Sequence, residues 1–278
     1  MDPTTLRDGA RDLLLGGRCA ACGRPGGVLC RACHERLLLE APLTRSRTRP
    51  RPCPPGLLPV WSCGGYTGAL RALLLAHKEQ WRHQLTVPLG ALLAQSVAGL
   101  AAEGGVTAGA VLVLVPVPSR PAAVRARGRD AMLALVRAAA RELERGGVPA
   151  RAVPLLATRP GVADQSGLDT AARAANLHGA LRVRPGPLRR LAGGVPEIAG
   201  AVVCDDVVTT GATLVEAQRA LRAVGVPVLG SATVAATARR ARVSLRLFWP
   251  RRRLRLVRTG CSSRHIRNRP SRRVTGQT

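Results

Sequence analysis

The segment AVVCDDVVTTGAT occupies residues 201–213 and joins an apolar run to a turn rich in threonine. Its first four residues are apolar without alternation, which predicts a strand buried on both faces, as in a parallel sheet. Asp205 and Asp206 end that strand, and Leu214–Val224 has the pattern of a helix. Ligands of open α/β sheets bind beyond the carboxyl ends of the strands. The segment therefore predicts a ligand site at the strand-to-helix turn.

The chemistry of this turn suits a phosphorylated sugar. A Gly/Thr turn that opens a helix presents N–H groups and hydroxyls to a phosphate. Carboxylates beside it suit sugar hydroxyls or a hydrated Mg²⁺ ion. The alternative is an ordinary strand-turn-helix with a threonine N-cap, but such a cap needs only one Ser, Thr or Asp. Two adjacent acids and three threonines therefore favour the functional interpretation.

The segment resembles the signature of type I phosphoribosyltransferases, which bind phosphoribosyl pyrophosphate (PRPP). The apolar run, Asp-Asp, two further apolar residues and T-T-G-A-T follow one another as in that family. The resemblance implies that Asp205 and Asp206 bind the ribose 2′- and 3′-hydroxyls. It also implies that the 5′-phosphate is bound by the loop of Thr209, Thr210, Gly211, Ala212 and Thr213.

The composition predicts one α/β domain with a small appendage in 278 residues. Hydrophobic residues make up 46% and aromatic residues only 2%, so the core must be built from Leu, Val and Ala. The net charge of +27 suggests a nucleic-acid partner. However, Lys78 is the single lysine beside many arginines, which also fits a high-GC coding bias. Residues 241–278 hold 12 arginines and no acid, so we expect a very basic, disordered tail.

The chain has neither an uninterrupted apolar run of about 18 residues nor the pattern of a signal peptide. We therefore expect no membrane span and a soluble cytoplasmic protein. The eight cysteines then indicate metal binding or buried thiols rather than disulfides.

Strand-like and helix-like segments alternate after residue 60, which predicts right-handed crossovers and a parallel sheet. The pattern predicts a strand over 111–115, one long helix over Ala122–Arg145, and a loop rich in Pro, Gly and Arg over 184–197. The predicted organisation is a four-cysteine module (1–40), a Pro/Arg-rich extended linker (41–60), a phosphoribosyltransferase domain (61–240) and the basic tail (241–278).

Four cysteines near the N-terminus have the spacing C-x2-C-x7-C-x2-C, and they are Cys19, Cys22, Cys30 and Cys33. Two CxxC pairs can together give four thiolates to one tetrahedral Zn²⁺. The alternative is free or redox-active thiol pairs. A module of about 40 residues rarely folds without such a staple, which favours structural zinc. Cys53 and Cys63 fit buried thiols better than a second metal site, and Cys204 fits a packing residue.

The order of motifs across residues 19–240 resembles the ComF family, phosphoribosyltransferase-like proteins tied to DNA uptake in competent bacteria. After the cysteines come the motifs Y-T-G-x-L-R-x2-L (66–74), V-P-V-P (115–118), R-x-R-G (125–128), D-Q-x2-L (164–168) and R-x2-N (173–176). The arginine-rich composition suggests an actinobacterial member. Many members have R-G-F-N-Q where this chain has Arg127-Gly128-Arg129-Asp130.

The ComF resemblance implies PRPP and Mg²⁺ as ligands and a competence-machinery protein as partner. It implies that the loop after the strand at 111–115, reaching toward Arg127 and Gly128, faces pyrophosphate. It also implies a hood over the site, formed around Asp164, Gln165, Arg173 and Asn176.

Three cations are candidate pyrophosphate contacts, namely Lys78, Arg125 and Arg127. A lysine at a helix end is usually solvated, but a single lysine among so many arginines indicates a need for a compact ammonium. For the two arginines the alternative is a surface ion pair. Their place just after a strand end favours the pyrophosphate.

Two classes of function follow from these patterns. The first is a phosphoribosyltransferase with an unidentified acceptor. The second is a non-catalytic nucleic-acid-binding accessory protein that retains the PRPP pocket as a sensor, with DNA bound through the basic tail. The low aromatic content of 2% argues against single-strand stacking surfaces.

Overall fold

A computed structural model describes residues 17–25, 27–107, 109–159, 179–194 and 197–237, all within one compact unit. The helices are α1 (Arg31–Thr44), α2 (Gly68–Lys78), α3 (Thr86–Glu103), α4 (Pro121–Arg127), α5 (Ala131–Arg145), α6 (Pro185–Gly194) and α7 (Ala212–Arg222). The strands are β1 (Ser46–Thr48), β2 (Val60–Gly65), β3 (Val111–Pro116), β4 (Ala150–Ala152), β5 (Leu156–Thr158), β6 (Leu181–Val183), β7 (Ile198–Val208) and β8 (Val228–Ala236).

Six strands form a mixed, mostly parallel sheet in the order β1-β2-β8-β7-β3-β4. Only β1 runs antiparallel to its neighbour, and β5 and β6 form a separate two-stranded antiparallel ribbon. The strand expected over the apolar run is present, with Val202, Val203 and Cys204 fully buried. The predicted α/β class with a mostly parallel sheet flanked by helices is therefore confirmed.

The crossover connections leave the neighbouring strands β3 and β7 in opposite directions along the sheet. From β3 the chain crosses to β4 at one edge of the sheet, whereas from β7 it crosses the other way to β8. Such a divergence opens a crevice between the two crossovers at the carboxyl ends of the strands. The register pairs Pro116 with Cys204, so the residues after β3 emerge beside Asp205 and Asp206.

Two layers cover the sheet, and small aliphatic residues fill both. Helices α3 and α5 pack together on one face, where Leu93 and Val97 are fully buried. On the other face α7 packs against β7, β8 and the β5–β6 ribbon, with Leu221 fully buried. The core is thus built largely from Leu, Val and Ala, as the composition predicts.

Helix α3 is the central helix of this core. The stretch His83–Glu103 is long and apolar enough to cross a membrane, but 56% of its most apolar window is buried inside the domain. That degree of burial is typical of a core helix in a soluble protein. Gly90 permits its close contact with α5, since a Cβ at that position would lie 2.5 Å from the Cβ of Ala138.

Two local expectations differ from the structure. The segment Ala122–Arg145 is two helices, because Gly128 has a φ of +67° and ends α4 in the left-handed region. Asp130 then starts α5 by accepting the N–H groups of Met132 and Leu133 at 3.0 and 3.1 Å. The predicted loop over 184–197 contains α6, whose Pro187 and Leu191 are buried.

The segment expected to be a linker, 41–60, is integrated into the domain. Its residues Ser46–Thr48 pair with β2 as the edge strand β1. Pro50 is buried, and its Cγ would lie 3.1 Å from a Cβ placed on Gly211. The Pro-rich stretch therefore packs against the turn that precedes α7.

The contact between α3 and α5 generates a stability prediction. We expect Gly90→Ala to lower the free energy of unfolding by about 1–3 kcal/mol, because the new methyl group overlaps Ala138. Gly193→Ala in α6 is the matched control, since nothing lies within 4 Å of its added Cβ. Urea unfolding of both variants measures the difference. Equal stability of the two variants would contradict the close packing at Gly90.

Candidate functional site

A cleft of about 540 Å³ lies at the carboxyl ends of β3 and β7. Four parts of the chain line it: the end of β7 with the start of α7, the residues after β3, the end of α2, and α4 with the start of α5. The polar and charged lining residues are His77, Lys78, Ser119, Arg120, Arg127, Asp205, Asp206 and Thr213. The fold thus brings the predicted acids together with Lys78 and Arg127, which are distant in sequence.

The two carboxylates differ in environment. Asp205 Oδ1 accepts the N–H of Asp206 at 2.9 Å, and Asp206 Oδ1 accepts the N–H of Val207 at 2.9 Å. Burial, and then the negative charge of Asp206, raise the pKa of Asp205 well above its ordinary value. A cation or hydrogen-bond donors entering the cleft would relieve this repulsion, which makes the pair a suitable acceptor for sugar hydroxyls.

Lys78 is the closest cation to the acid pair. Its Nζ lies 2.7 Å from Asp206 Oδ2, and the lysine side chain remains 55% exposed. Burial acts to lower the pKa of Lys78, but the charge and hydrogen bond of Asp206 outweigh it and raise the pKa above its ordinary value. The ammonium therefore stays charged and neutralises part of the acid pair, while its exposed side faces the cleft.

His77 is a site residue that the sequence did not single out. It is buried, and its Nε2 lies 3.1 Å from Thr86 Oγ1, which in turn accepts a hydrogen bond from Arg129 Nη2 at 2.9 Å. Burial, then the charges of Arg129 and His83, lower the pKa of His77 to about 4. The imidazole is therefore neutral at physiological pH. Only its position beside Lys78 in the sequence signalled a role.

Arg125 and Arg127 have different positions despite their shared motif. Arg127 lines the cleft, and its Nε donates to the carbonyl of Ala123 at 3.0 Å. Arg125 is exposed and does not line the cleft. Helical geometry explains the difference, because residues two apart lie on different faces of α4. Arg120, which precedes α4, lines the cleft and was missed by the sequence analysis.

The departure from R-G-F-N-Q has a structural counterpart. Arg129 reaches Thr86, and Asp130 caps α5 while accepting a hydrogen bond from Ser119 Oγ at 2.8 Å. Both side chains therefore stabilise the wall of the cleft.

The loop Thr209–Thr213 joins β7 to α7 and contributes Thr213 to the lining of the cleft. Gly211 has a φ of +76°, and a Cβ there would lie 2.9 Å from Leu57 Cδ2, so no larger residue fits. The N–H of Ala212 donates to Thr210 Oγ1 at 3.4 Å, whereas Thr209 is exposed and Thr213 lines the cleft. The first N–H groups of α7 lack acceptors within the helix and therefore suit an anion.

Several sequence predictions lie outside the described residues. These are the hood residues Asp164, Gln165, Arg173 and Asn176, and the tail over 241–278.

The four N-terminal cysteines form a compact cluster. The Sγ atoms of Cys19, Cys22, Cys30 and Cys33 all lie within 4.8 Å of one another, and those of Cys22 and Cys30 are 3.7 Å apart. A Zn–S bond of about 2.3 Å in a tetrahedral site implies S–S separations of about 3.8 Å. The donor set and its spacing therefore fit zinc, with no position left open for a substrate.

Backbone N–H groups near the cluster favour a thiolate at Cys19, whereas burial and the neighbouring sulfurs raise the pKa of Cys33. The N–H of Cys30 donates to Cys19 Sγ at 3.4 Å, and a tight turn brings the N–H of Gly23 to the Cys19 carbonyl at 2.7 Å. Burial alone would raise the pKa of Cys19, but backbone N–H groups from Cys30, Cys22 and Ala21 lower it to about 6. Thiolate sulfur is the form that binds metal.

The remaining described cysteines are packing residues. Cys63 and Cys204 are buried, and Cys53 is half-buried with its Sγ 3.8 Å from the Pro54 carbonyl. Burial raises the pKa of Cys204, which keeps it a thiol. Within the described ranges, the four-cysteine cluster is the one group of three or more metal-ligating side chains.

We expect metal analysis of the purified protein to give one zinc ion per chain. The cause is the closed four-sulfur set, which binds zinc structurally. Cys22→Ser should lower the zinc content and the thermal stability of the N-terminal module, whereas Cys53→Ser should leave the zinc content unchanged. Protein purified under reducing conditions with no bound metal would contradict the assignment.

Comparison with known families gives an independent result for the C-terminal half. Residues 166–254 match the family model described as the phosphoribosyl transferase domain. The match includes Asp205, Asp206 and the Thr209–Thr213 loop. No curated protein matches the chain significantly. The chain therefore has an α/β fold with a phosphoribosyltransferase domain, preceded by a four-cysteine cluster that fits zinc.

Proposed function

We propose that this protein binds PRPP with Mg²⁺ and transfers the phosphoribosyl group to an acceptor nucleophile, releasing pyrophosphate. One observation carries the proposal: an Asp-Asp pair and a Gly/Thr turn lie at the switch point of the sheet, opposite Lys78 and Arg127. The phosphoribosyltransferase match over 166–254 supports the same reaction class.

The ribose 5-phosphate end of PRPP is assigned to β7 and α7. The hydroxyls of Thr209, Thr210 and Thr213, with the N–H groups that open α7, supply neutral donors for a phosphate. Asp205 and Asp206 lie near the carboxyl end of β7, just before this loop, and accept hydrogen bonds from the ribose hydroxyls. Because Asp205 is electrostatically strained by burial and by Asp206, donors from the sugar stabilise its charged form.

The pyrophosphate end is assigned to the opposite wall of the cleft. Lys78, Arg120 and Arg127 line the cleft together with the segment after β3, and Lys78 also contacts the acids, since its Nζ lies 2.7 Å from Asp206 Oδ2. Guanidinium and ammonium donors form the strong, charge-assisted bonds that a polyanion needs. Arg125 is left out of this assignment because it points away from the cleft lining.

Magnesium fits the donor set of this cleft. The ion prefers oxygen ligands and keeps several waters, and it usually binds through one or two carboxylates plus substrate phosphates. Asp205 and Asp206 are the residues that would hold it. When bound, Mg²⁺ supplies positive charge that neutralises the leaving pyrophosphate.

The protein accelerates this reaction mainly by positioning and electrostatics. The bond between C1′ and the pyrophosphate oxygen breaks, the bond between C1′ and the acceptor forms, and pyrophosphate leaves with the bonding electron pair. The two carboxylates lie where positive charge on the ribose develops, while the cations face the departing anion. Neutral His77, held through Thr86 by Arg129, adds no charge that would oppose the developing cation.

The order of motifs also supports a relationship to the ComF proteins of DNA uptake. On that basis we propose a cytoplasmic protein with a partner in the competence machinery, from an actinobacterial source. This part of the proposal depends on the sequence resemblance alone.

A second candidate function is favoured by the tail. Residues 241–278 carry 12 arginines and no acid, which suits the backbone of DNA. In that case the protein is an accessory module that binds nucleic acid, and the PRPP pocket acts as a sensor.

The site assignment predicts a selective loss of PRPP affinity. Asp205→Asn and Asp206→Asn should each weaken binding, and Thr213→Val should cost about 1.5–3 kcal/mol by removing a hydrogen bond to a charged phosphate. Isothermal titration calorimetry with PRPP and Mg²⁺ measures these effects. Glu144→Gln, an exposed acid on α5, is the charge-matched control. Unchanged affinity in all three site variants would refute the assignment.

A truncated variant distinguishes the two proposed functions. Deleting residues 241–278 should abolish most DNA binding without changing PRPP affinity, because the tail neutralises phosphates and carries nothing arranged to read base edges. Fluorescence anisotropy of the full and truncated chains at two salt concentrations tests this. If the truncated protein binds DNA as tightly as the full chain, the folded domain carries the affinity and the accessory-module function gains support.

A further inference from the structure

A second cleft, of about 370 Å³, lies between the four-cysteine module and α2. Its lining includes Arg18 and Ala20 from the module, Arg71 and Leu75 from α2, and Gln80 and Arg82 after α2. We propose that this cleft binds one phosphate-bearing ligand of nucleotide size, distinct from the substrate of the first cleft.

The charge of the cleft selects an anion. Three arginines line it together with Cys19 of the cysteine cluster, and its lining contains no Asp or Glu. Arg18 Nη1 donates to the carbonyl of Gly23 at 3.1 Å, which fixes one edge of the guanidinium and leaves other N–H groups for a ligand. The guanidinium of Arg71 stacks over the ring of Tyr66, 5.9 Å from its centre. Planar guanidinium groups held in this way suit bidentate phosphate binding.

The rest of the lining suits a flat, partly apolar group rather than a bare ion. Leu75, Ala72 and Ala76 form an aliphatic wall on α2, and Ala20 faces it from the module. The amide of Gln80 offers both a donor and an acceptor, which can pair with the edge of a base. Pockets that bind small ligands combine an apolar wall with a few placed polar groups in this manner.

The size of the cleft separates a mononucleotide from a nucleic-acid strand. A volume of about 370 Å³ is near the lower end for small-ligand sites, which run from about 300 to 1,000 Å³. Strand binding relies on extended basic grooves and on successive stacking surfaces. The concave shape, closed on one side by the cysteine module, therefore favours a single nucleotide.

Helix α2 separates this cleft from the proposed substrate site. Ala76 lines the second cleft, and the next two residues, His77 and Lys78, line the first. The first cleft contains two carboxylates, which suit sugar hydroxyls and a metal ion, whereas the lining of the second has three arginines and no carboxylate. The two sites therefore differ in the ligand chemistry that they accept, and the inference does not depend on the proposed transferase activity.

The test is calorimetric titration of the full-length protein with adenosine monophosphate, inorganic phosphate and pyrophosphate at physiological salt. We expect the double variant Arg18→Ala/Arg71→Ala to weaken nucleotide binding at least about tenfold, because it removes two charge-assisted contacts. Gln80→Ala should weaken the nucleotide more than inorganic phosphate. Arg137→Ala, an exposed arginine on α5, is the control for net charge and should have no effect.

Zinc content and thermal unfolding show whether the double variant keeps its fold, and Gln80→Ala tests the same cleft without altering the cysteine module. PRPP affinity of the double variant should match the original protein. Three results would overturn the proposal: no nucleotide binding at millimolar concentration, loss of nucleotide binding in Asp206→Asn, or much tighter binding of a single-stranded oligonucleotide through the same residues.

Discussion

The pairing of β3 with β7 is the contact on which the candidate site depends. These strands come from distant parts of the chain, and their register places Pro116 beside Cys204. The segment after β3 therefore leaves the sheet next to Asp205 and Asp206. Since the crossovers from the two strands diverge, the helices do not close the space between them. A crevice that holds the acid pair beside the segment after β3 follows from that register.

The balance of charge in this crevice differs from the rest of the molecule. The chain carries a net charge of +27, yet its proposed substrate site contains a partly buried acid pair neutralised in part by Lys78. The pKa of Asp205 is raised because burial and Asp206 both oppose its ionisation. Ligand donors and Mg²⁺ would favour the charged form of Asp205, so the acid pair suits a ligand that brings hydrogen-bond donors or positive charge.

Small residues let this domain pack closely with few aromatic side chains. Gly90 lets α3 and α5 touch, and Gly211 lets Pro50 and Leu57 lie over the Thr209–Thr213 loop. The Pro-rich segment thus connects the cysteine module physically to the loop assigned to phosphate. One helix, α2, likewise lines both clefts. The N-terminal module is therefore part of the surroundings of the site rather than a separate appendage.

The sequence alone determined the α/β class, the buried strand that leads into the acid pair, the Thr209–Thr213 segment and the four-cysteine set, although the strand continues through the acids to Val208. These features depend on local patterns, namely an uninterrupted apolar run, adjacent turn residues and paired CxxC spacing. The tertiary structure decided which distant side chains join them. It placed His77 and Arg120 in the cleft, turned Arg125 away from it, and built β1 and the Pro50 contact from a stretch expected to be a linker. Such choices depend on strand register and helix rotation, which are fixed by packing across the whole core and leave no signal in a short window of sequence.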